Sequence, residues 1–172
     1  MGQIVVKGTK SISIADEVVV TCKKQLAGAS IIVPNGASLT IEGDGTIASD
    51  EGLINVEKGG VLTIGKADKS DQPKFTTSVN ARVNHVLVNN GNATINNAKM
   101  TAKSAAIHNN GVLTVLDGLY TGEASTANAH KYCITTDSGS KMTLKNATVK
   151  GVHGAVACQA IYGNESSATI DN

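Results

Sequence analysis

The stretch GVLTVLDGLYTG, residues 111–122, returns in variant form along the chain, as GGVLTIGKAD (59–68), GNATINNAKM (91–100) and SKMTLKNATVKG (140–151). Aligning these copies and two weaker ones on their threonine gives separations of 23, 31, 20, 29 and 26 residues between Thr40, Thr63, Thr94, Thr114, Thr143 and Thr169. A phrase repeated at such intervals indicates a solenoid in which each copy belongs to one coil. We therefore expect equivalent residues of successive copies to lie in columns.

The residues on both sides of each repeated threonine are apolar. Because side chains alternate between the two faces of a strand, this pattern predicts a strand with the threonine outside and its neighbours in the core. The expected core residues are Leu39, Ile41, Leu62, Ile64, Ala93, Ile95, Leu113, Val115, Met142, Leu144, Ala168 and Ile170.

Two further strands complete each predicted coil. The first is expected before the threonine strand, followed by a turn rich in Asn and Gly, residues that tolerate positive φ and so let the chain bend sharply. Its inward pairs are expected nine and seven residues before each threonine: Ile31 and Val33, Ile54 and Val56, His85 and Leu87, Ala105 and Ile107, Ile134 and Thr136, Ala160 and Tyr162. A third strand is expected after the threonine strand, around Met100, Tyr120 and Val149.

A corner of polar residues separates the second and third strands. Asn97, Asp117 and Asn146 each stand three residues after a threonine. Stacked from coil to coil, they predict a column that passes side-chain hydrogen bonds along the rod. Coil length varies between the third strand and the next coil, so the insertions 66–82 and 121–131 are expected to project from one side of the rod.

The phrase G-x-L-T-I-x-N-A-x-I with its Asn-rich corner resembles the right-handed parallel β-helix proteins, the pectate-lyase-like superfamily, over about residues 30–172. The resemblance implies an all-β, right-handed parallel β-helix (β-solenoid) of about six coils, one for each aligned threonine. Residues 31–172 would form the shaft, with an incomplete C-terminal coil. Residues 1–30 do not fit the repeat and are predicted to be an N-terminal cap or attachment segment, because an open end would expose unpaired strand edges.

Composition excludes several kinds of partner. The net charge is +1 with both signs interspersed, which argues against nucleic acid, and the chain lacks the apolar run of about 20 residues needed to enter a membrane. We expect a protein made in the cytoplasm, because the N-terminus lacks the apolar run of a signal peptide. The three cysteines lack CxxC spacing and are predicted to be reduced, although Cys133 and Cys158 stand nearly in register on neighbouring coils.

No catalytic, cofactor-binding or metal-binding residue is predicted. The histidines occupy different repeat positions and form no shared metal site, and His85, at an inward-type position, is expected to be buried and hydrogen-bonded or to mark a shift of register. The only arginine, Arg82, lies in an insertion, and aromatic residues are scarce, with Phe75 and Tyr132 as the candidate exposed rings. Glycoside hydrolysis needs two carboxylates about 5 to 9.5 Å apart. Asp44, Asp50 and Glu51 lie close together in sequence near the first coil, and Asp68 and Asp71 lie in the first long loop. Both groups are interpreted as solvated turn residues.

The family resemblance covers polysaccharide lyases and hydrolases, autotransporter adhesins, and bacteriophage tailspikes and fibres, so fold alone does not choose among them. We expect a non-enzymatic structural or adhesive rod on a virion surface: a bacteriophage head fibre, capsid decoration protein or tail fibre. Its expected partners are capsid or tail proteins through the N-terminal segment, host surface glycans, and further copies of itself in a homotrimer by analogy. The alternatives are a polysaccharide lyase or hydrolase, and an adhesin secreted to the bacterial cell surface.

Overall fold

The computed structural model describes residues 3–22, 29–78, 85–123, 132–151, 156–158 and 167–171. Within these ranges the chain forms strands, turns and bends, and it contains no helix that could cross a membrane. The strands form three sheets in which every described pairing is parallel. The parallel β-solenoid predicted from the threonine phrase is confirmed.

The strands are short, as expected for a chain that turns a corner after each one. In chain order they are β1 (Ile4–Val5), β2 (Thr9–Ser13), β3 (Val19–Cys22), β4 (Ile31–Val33), β5 (Ser38–Glu42), β6 (Thr46–Ser49), β7 (Ile54–Val56), β8 (Val61–Ile64), β9 (Lys74–Thr77), β10 (Leu87–Asn89), β11 (Asn92–Ile95), β12 (Lys99–Ala102), β13 (Ile107–Asn109), β14 (Val112–Val115), β15 (Gly118–Gly122), β16 (Ile134–Thr136), β17 (Lys141–Lys145), β18 (Ala147–Gly151), β19 (Val156–Cys158) and β20 (Ser167–Asp171).

Successive strands enter three sheets in turn, so each coil has a strand in each. Sheet A contains β1, β4, β7, β10, β13, β16 and β19; sheet B contains β2, β5, β8, β11, β14, β17 and β20; sheet C contains β3, β6, β9, β12, β15 and β18. In the described ranges the sheets thus hold seven, seven and six strands, which roughly matches the predicted number of coils.

Stacked apolar side chains from all three sheets fill the interior. The predicted core residues whose side chains are described are buried: Leu39, Ile41, Leu62, Ile64, Ala93, Ile95, Leu113, Val115, Met142 and Leu144. The side chains of Ala168 and Ile170 lie outside the described residues. Phe75 is fully buried, so the prediction of an exposed ring is wrong for it. The reason is that β9 forms the third strand of its coil within the predicted 66–82 insertion, and its register places Phe75 between Ile47 and Met100.

In the coils from β4 to β17, the turn between sheets A and B has two lengths. It spans four residues after β4, β7 and β16, but only two after β10 and β13. The predicted inward pairs beginning at His85 and Ala105 are therefore two residues too early, and Leu87 with Asn89, and Ile107 with Asn109, occupy those positions. The short turns stack closely, because a Cβ on Gly111 would lie 2.2 Å from the carbonyl oxygen of Gly91. In the last coil the strand of sheet A is β19, and the predicted inward residues Ala160 and Tyr162 lie outside the described residues.

The N-terminal segment also differs from its predicted place outside the repeat. Its strands β1, β2 and β3 pair in parallel with β4, β5 and β6 and so extend all three sheets. In β2, Ser11 pairs with Thr40 and Lys10 pairs with Leu39. A lysine therefore stands where other copies have an apolar residue, which conceals the phrase in the sequence.

Candidate functional site

The repeated threonines form one rank along the outside of sheet B. Thr40, Thr63, Thr94, Thr114, Thr143 and Thr169 are direct partners on successive strands. A shorter rank on sheet C, which the sequence analysis missed, consists of Thr76, Thr101 and Thr121. Its signal was a threonine directly after each inward residue of the third strand. Both ranks present hydroxyl and methyl groups, which carry no charge and no acid-base chemistry of their own.

Two of the three predicted corner residues, Asn97 and Asp117, bond to the loop 66–73 rather than to each other. Asn97 Nδ2 donates to the carbonyl oxygen of Asp71 at 2.9 Å, and Asn97 Oδ1 accepts from Gln72 Nε2 at 3.0 Å. Asp117 Oδ2 lies 3.2 Å from Lys69 Nζ. Asn146 takes a positive φ of 48° at its corner.

Side-chain ladders occur instead at the corner between sheets A and B. In the inner ladder, Asn89 Nδ2 donates to Asn109 Oδ1 at 2.8 Å, and Asn109 Nδ2 donates to Thr136 Oγ1 at 2.8 Å. These three residues are fully buried. An outer ladder runs from Asn110 to Asn90 at 2.9 Å and from Asn90 to Asn55 at 3.1 Å. The buried amides were missed because the sequence register assumed turns of one length.

The loop 66–73 spans several coils with its polar groups. Asp71 is buried, and its carboxylate accepts from the backbone N–H of Gly43 at 2.6 Å and of Lys66 at 2.7 Å. On the other side of the loop, Lys69 Nζ donates to the carbonyl oxygen of Leu116 at 3.1 Å. Residues 66–73 of the predicted insertion 66–82 therefore lie against the corners of neighbouring coils.

The candidate carboxylates for glycoside hydrolysis have structural contacts. Asp44 Oδ1 accepts from the backbone N–H of Gln72 at 2.8 Å, and Asp50 Oδ1 accepts from Ser78 Oγ at 3.0 Å. Hydrogen bonds from the side chain and backbone of Ser70 lower the pKa of Asp68 from its ordinary value. A lowered pKa suits a structural carboxylate and not a general acid, which must hold its proton near neutral pH.

Replacing Asp71 with asparagine should lower the free energy of unfolding by about 2 kcal/mol, because hydrogen bonds to a charged group contribute about 1.5–3 kcal/mol and the new amide N–H₂ would face a backbone donor. Urea denaturation of the purified protein measures this change. Asp68→Asn, in the same loop but exposed, is the matched control and should change stability by less than about 0.5 kcal/mol. Equal losses in the two variants would contradict the assigned role of Asp71.

Two histidines and an aspartate meet near sheet A. His85 is buried with its Nδ1 3.2 Å from the carbonyl oxygen of Ala105, and its ring lies edge-on to that of His108 with centroids 5.3 Å apart. His108 Nε2 lies 3.0 Å from Asp137 Oδ2. No group of three or more His, Cys, Asp or Glu residues in the described ranges could hold a metal ion.

Cys133 is a buried free thiol, and Cys22 is a half-buried one. Burial raises the pKa of Cys133 to about 12. Cys158 pairs with Thr136, three residues after Cys133 in the neighbouring strand, so the near-register predicted for Cys133 and Cys158 is not observed. A thiol with so high a pKa is a poor nucleophile, because the thiolate is the reactive form.

We expect iodoacetamide at pH 8 to alkylate Cys133 at least about a thousandfold more slowly in the native protein than in denaturant, where an ordinary thiol pKa of about 8.5 returns. Peptide mass spectrometry after timed labelling measures the two rates at this residue. Rapid native labelling of Cys133 would contradict its burial. Cys22 in the same samples is the internal control and should react faster in the native protein.

Comparison with protein-family models, with curated proteins and with solved structures found no match. The described surfaces of the chain combine uncharged threonine ranks, amide ladders and carboxylates held in structural contacts.

Proposed function

We propose that the chain is a non-enzymatic rod of a bacteriophage virion appendage: a head fibre, capsid decoration protein or tail fibre. The observation that supports it best is the uninterrupted stacking of equivalent residues from coil to coil, which makes a stiff element along the solenoid axis. Parallel ladders and a mainly aliphatic core give such a rod resistance to bending and to proteases. The assignment to a virion rests on the family resemblance of the repeated phrase.

The contacts of the carboxylates favour a mechanical role over a catalytic one. Asp71 clamps two backbone amides, and three other acidic residues are paired with lysines in the described ranges: Asp16 with Lys74, Asp117 with Lys69, and Glu123 with Lys103. A polysaccharide lyase or hydrolase would need two carboxylates free to meet substrate, and these four are held in contacts within the protein. The proposed work of the rod is to hold a binding element, such as one for host glycans, away from the particle. By analogy we propose a homotrimer.

Immunogold electron microscopy of particles and cell envelopes, purified from a culture that naturally produces the chain, tests the location. The proposal predicts label on virus particles. Label confined to cell envelopes would instead identify an adhesin. Appearance of new reducing ends when the purified protein is incubated with host polysaccharide would overturn the non-enzymatic assignment.

Two deletions test whether attachment uses the N-terminal end. Removing residues 1–28 takes away the first coil, and removing 87–106 takes away one internal coil with Ile107 replacing Leu87 in register. Whole-coil deletions suit a solenoid because each repeat contacts mainly its neighbours. We expect the first deletion to abolish incorporation into particles and the second, as the matched control, to preserve it.

A further inference from the structure

The N-terminal end of the solenoid presents three open strand edges. β1, β2 and β3 are the terminal strands of sheets A, B and C, and no described strand pairs with their outer edges. Apolar side chains of the core columns are exposed there, since Ile4 pairs with buried Ile31 yet is 51% exposed, and Val20 pairs with buried Ile47 yet is 42% exposed. An edge of this kind is a template for an added β-strand.

Lys10 places a positive charge in an inward column at the N-terminal end. It pairs with Leu39, so it stands in the inward column of sheet B, and its side chain is exposed above the core. In the described ranges no carboxylate lies within ion-pair distance of Lys10, and Asp16, which follows β2 in the chain, is paired with Lys74 at 3.1 Å. Covering this end would take the ammonium group out of water, which costs several kcal/mol unless a counter-charge arrives with the covering strand.

In a second copy of the chain, the positions that align with Lys10 supply no such charge. The column that begins at Lys10 continues through Leu39, Leu62, Ala93, Leu113, Met142 and Ala168 and contains no acidic residue. In the arrangement of two N-terminal ends that pairs β2 with β2, the added strand TKSIS is also without an acid. Inward-pointing charges of this kind protect sheet edges against self-association.

We propose that the N-terminal end is a docking site for a β-strand of the anchoring protein, one that places an aspartate or glutamate over Lys10. This inference rests on the proposed function for the existence of an anchoring protein. Backbone pairing along β2 supplies affinity, and the charge-assisted hydrogen bond to Lys10 supplies selectivity. Lys10 thus disfavours pairing with a copy of the same chain and favours a strand that carries an acidic residue opposite it.

Cyclised β-hairpin peptides that display the strand Ser38–Glu42 test this selectivity on the full chain. One peptide carries Leu39→Glu and its matched control carries Leu39→Gln; amide NMR shifts of Thr9–Ser13 report binding. We expect the glutamate peptide to bind about 10- to 100-fold more tightly, the equivalent of about 1.5–3 kcal/mol for a charge-assisted contact. In a chain with Lys10→Met this preference should disappear, and the chain should self-associate in sedimentation velocity.

Absence of peptide binding, equal binding of the two peptides, or shifts away from Thr9–Ser13 would each overturn the proposal. Concentration-dependent shifts of these amides in the unmodified chain alone would also overturn it, since they would show docking of a second copy. A failed virion assignment gives a different result, because gold label would then be absent from particles while the peptide preference persisted.

Discussion

Replacing Phe75 with alanine is expected to lower the free energy of unfolding by about 3–5 kcal/mol, the usual cost of truncating a fully buried aromatic residue. The ring is fully buried and stands in the sheet C column between Ile47 and Met100, two coils from Tyr120. Its neighbours belong to stacked backbone ladders, so they have little freedom to close the cavity. For a chain of this size the melting temperature should fall by about 10 °C or more.

Calorimetry and urea denaturation of the purified variants measure this loss. Val61→Ala is the matched control, since Val61 is an exposed strand residue and its truncation should change stability by less than about 0.5 kcal/mol. Phe75→Leu should recover part of the loss, because it restores most of the apolar volume. A Phe75→Ala variant as stable as the control would mean that the ring does not lie in the core.

The second large effect is expected from Asn109→Val. Valine fills the same column position in β4 and β7, at Val33 and Val56, but those coils have the longer turn. In the shorter turn, Asn109 Nδ2 also donates to the carbonyl oxygen of Lys141 at 3.1 Å, and Asn109 Oδ1 accepts from the N–H of Gly111 at 3.3 Å. Valine leaves these groups and Asn89 with unmet hydrogen bonds in the interior, so we expect a loss of about 2–4 kcal/mol.

Asn110→Ala gives the comparison for this prediction. Asn110 is the next residue, and its amide donates to Asn90 at 2.9 Å in the outer ladder, where water can replace the bond. The Asn110→Ala variant should lose less than about 1 kcal/mol in free energy of unfolding in the same denaturation experiment. If Asn110→Ala proved as costly as Asn109→Val, the distinction between a buried and a solvated ladder would fail.

The fold could be predicted from the threonine phrase because the alternation of side chains along a strand and the repetition of the phrase act together. Leu62, Leu113 and Met142 could be assigned to one column from sequence, since strand alternation leaves only two faces and stacking then aligns equal positions. Turn length followed no such rule. The short turn after β10 depends on Asn89 bonding the following backbone, with its Oδ1 accepting from Gly91 N–H at 3.2 Å, and that contact exists only after folding.

Two further differences concern charged residues whose positions the sequence spacing does not give. Lys10 stands in an inward column because the column ends there and its charge can still reach water. Asp71 is buried because the loop returns to the corner, where two backbone N–H groups meet its carboxylate. Sequence spacing gives no information on such returns. The contacts of the loop 66–73 and the inward position of Lys10 are therefore seen only in the folded structure.

The loop 66–73 has a consequence for how the rod would yield under tension. A force applied to one terminus of a solenoid peels the chain away coil by coil, and each coil resists mainly through its own ladders. Lys69, however, leaves the coil of β8 and β9 and reaches the carbonyl of Leu116, two coils further on, while Asp71 holds Gly43 in the coil before. Peeling should therefore stall where it meets this brace, and the spanned block should then rupture as one unit.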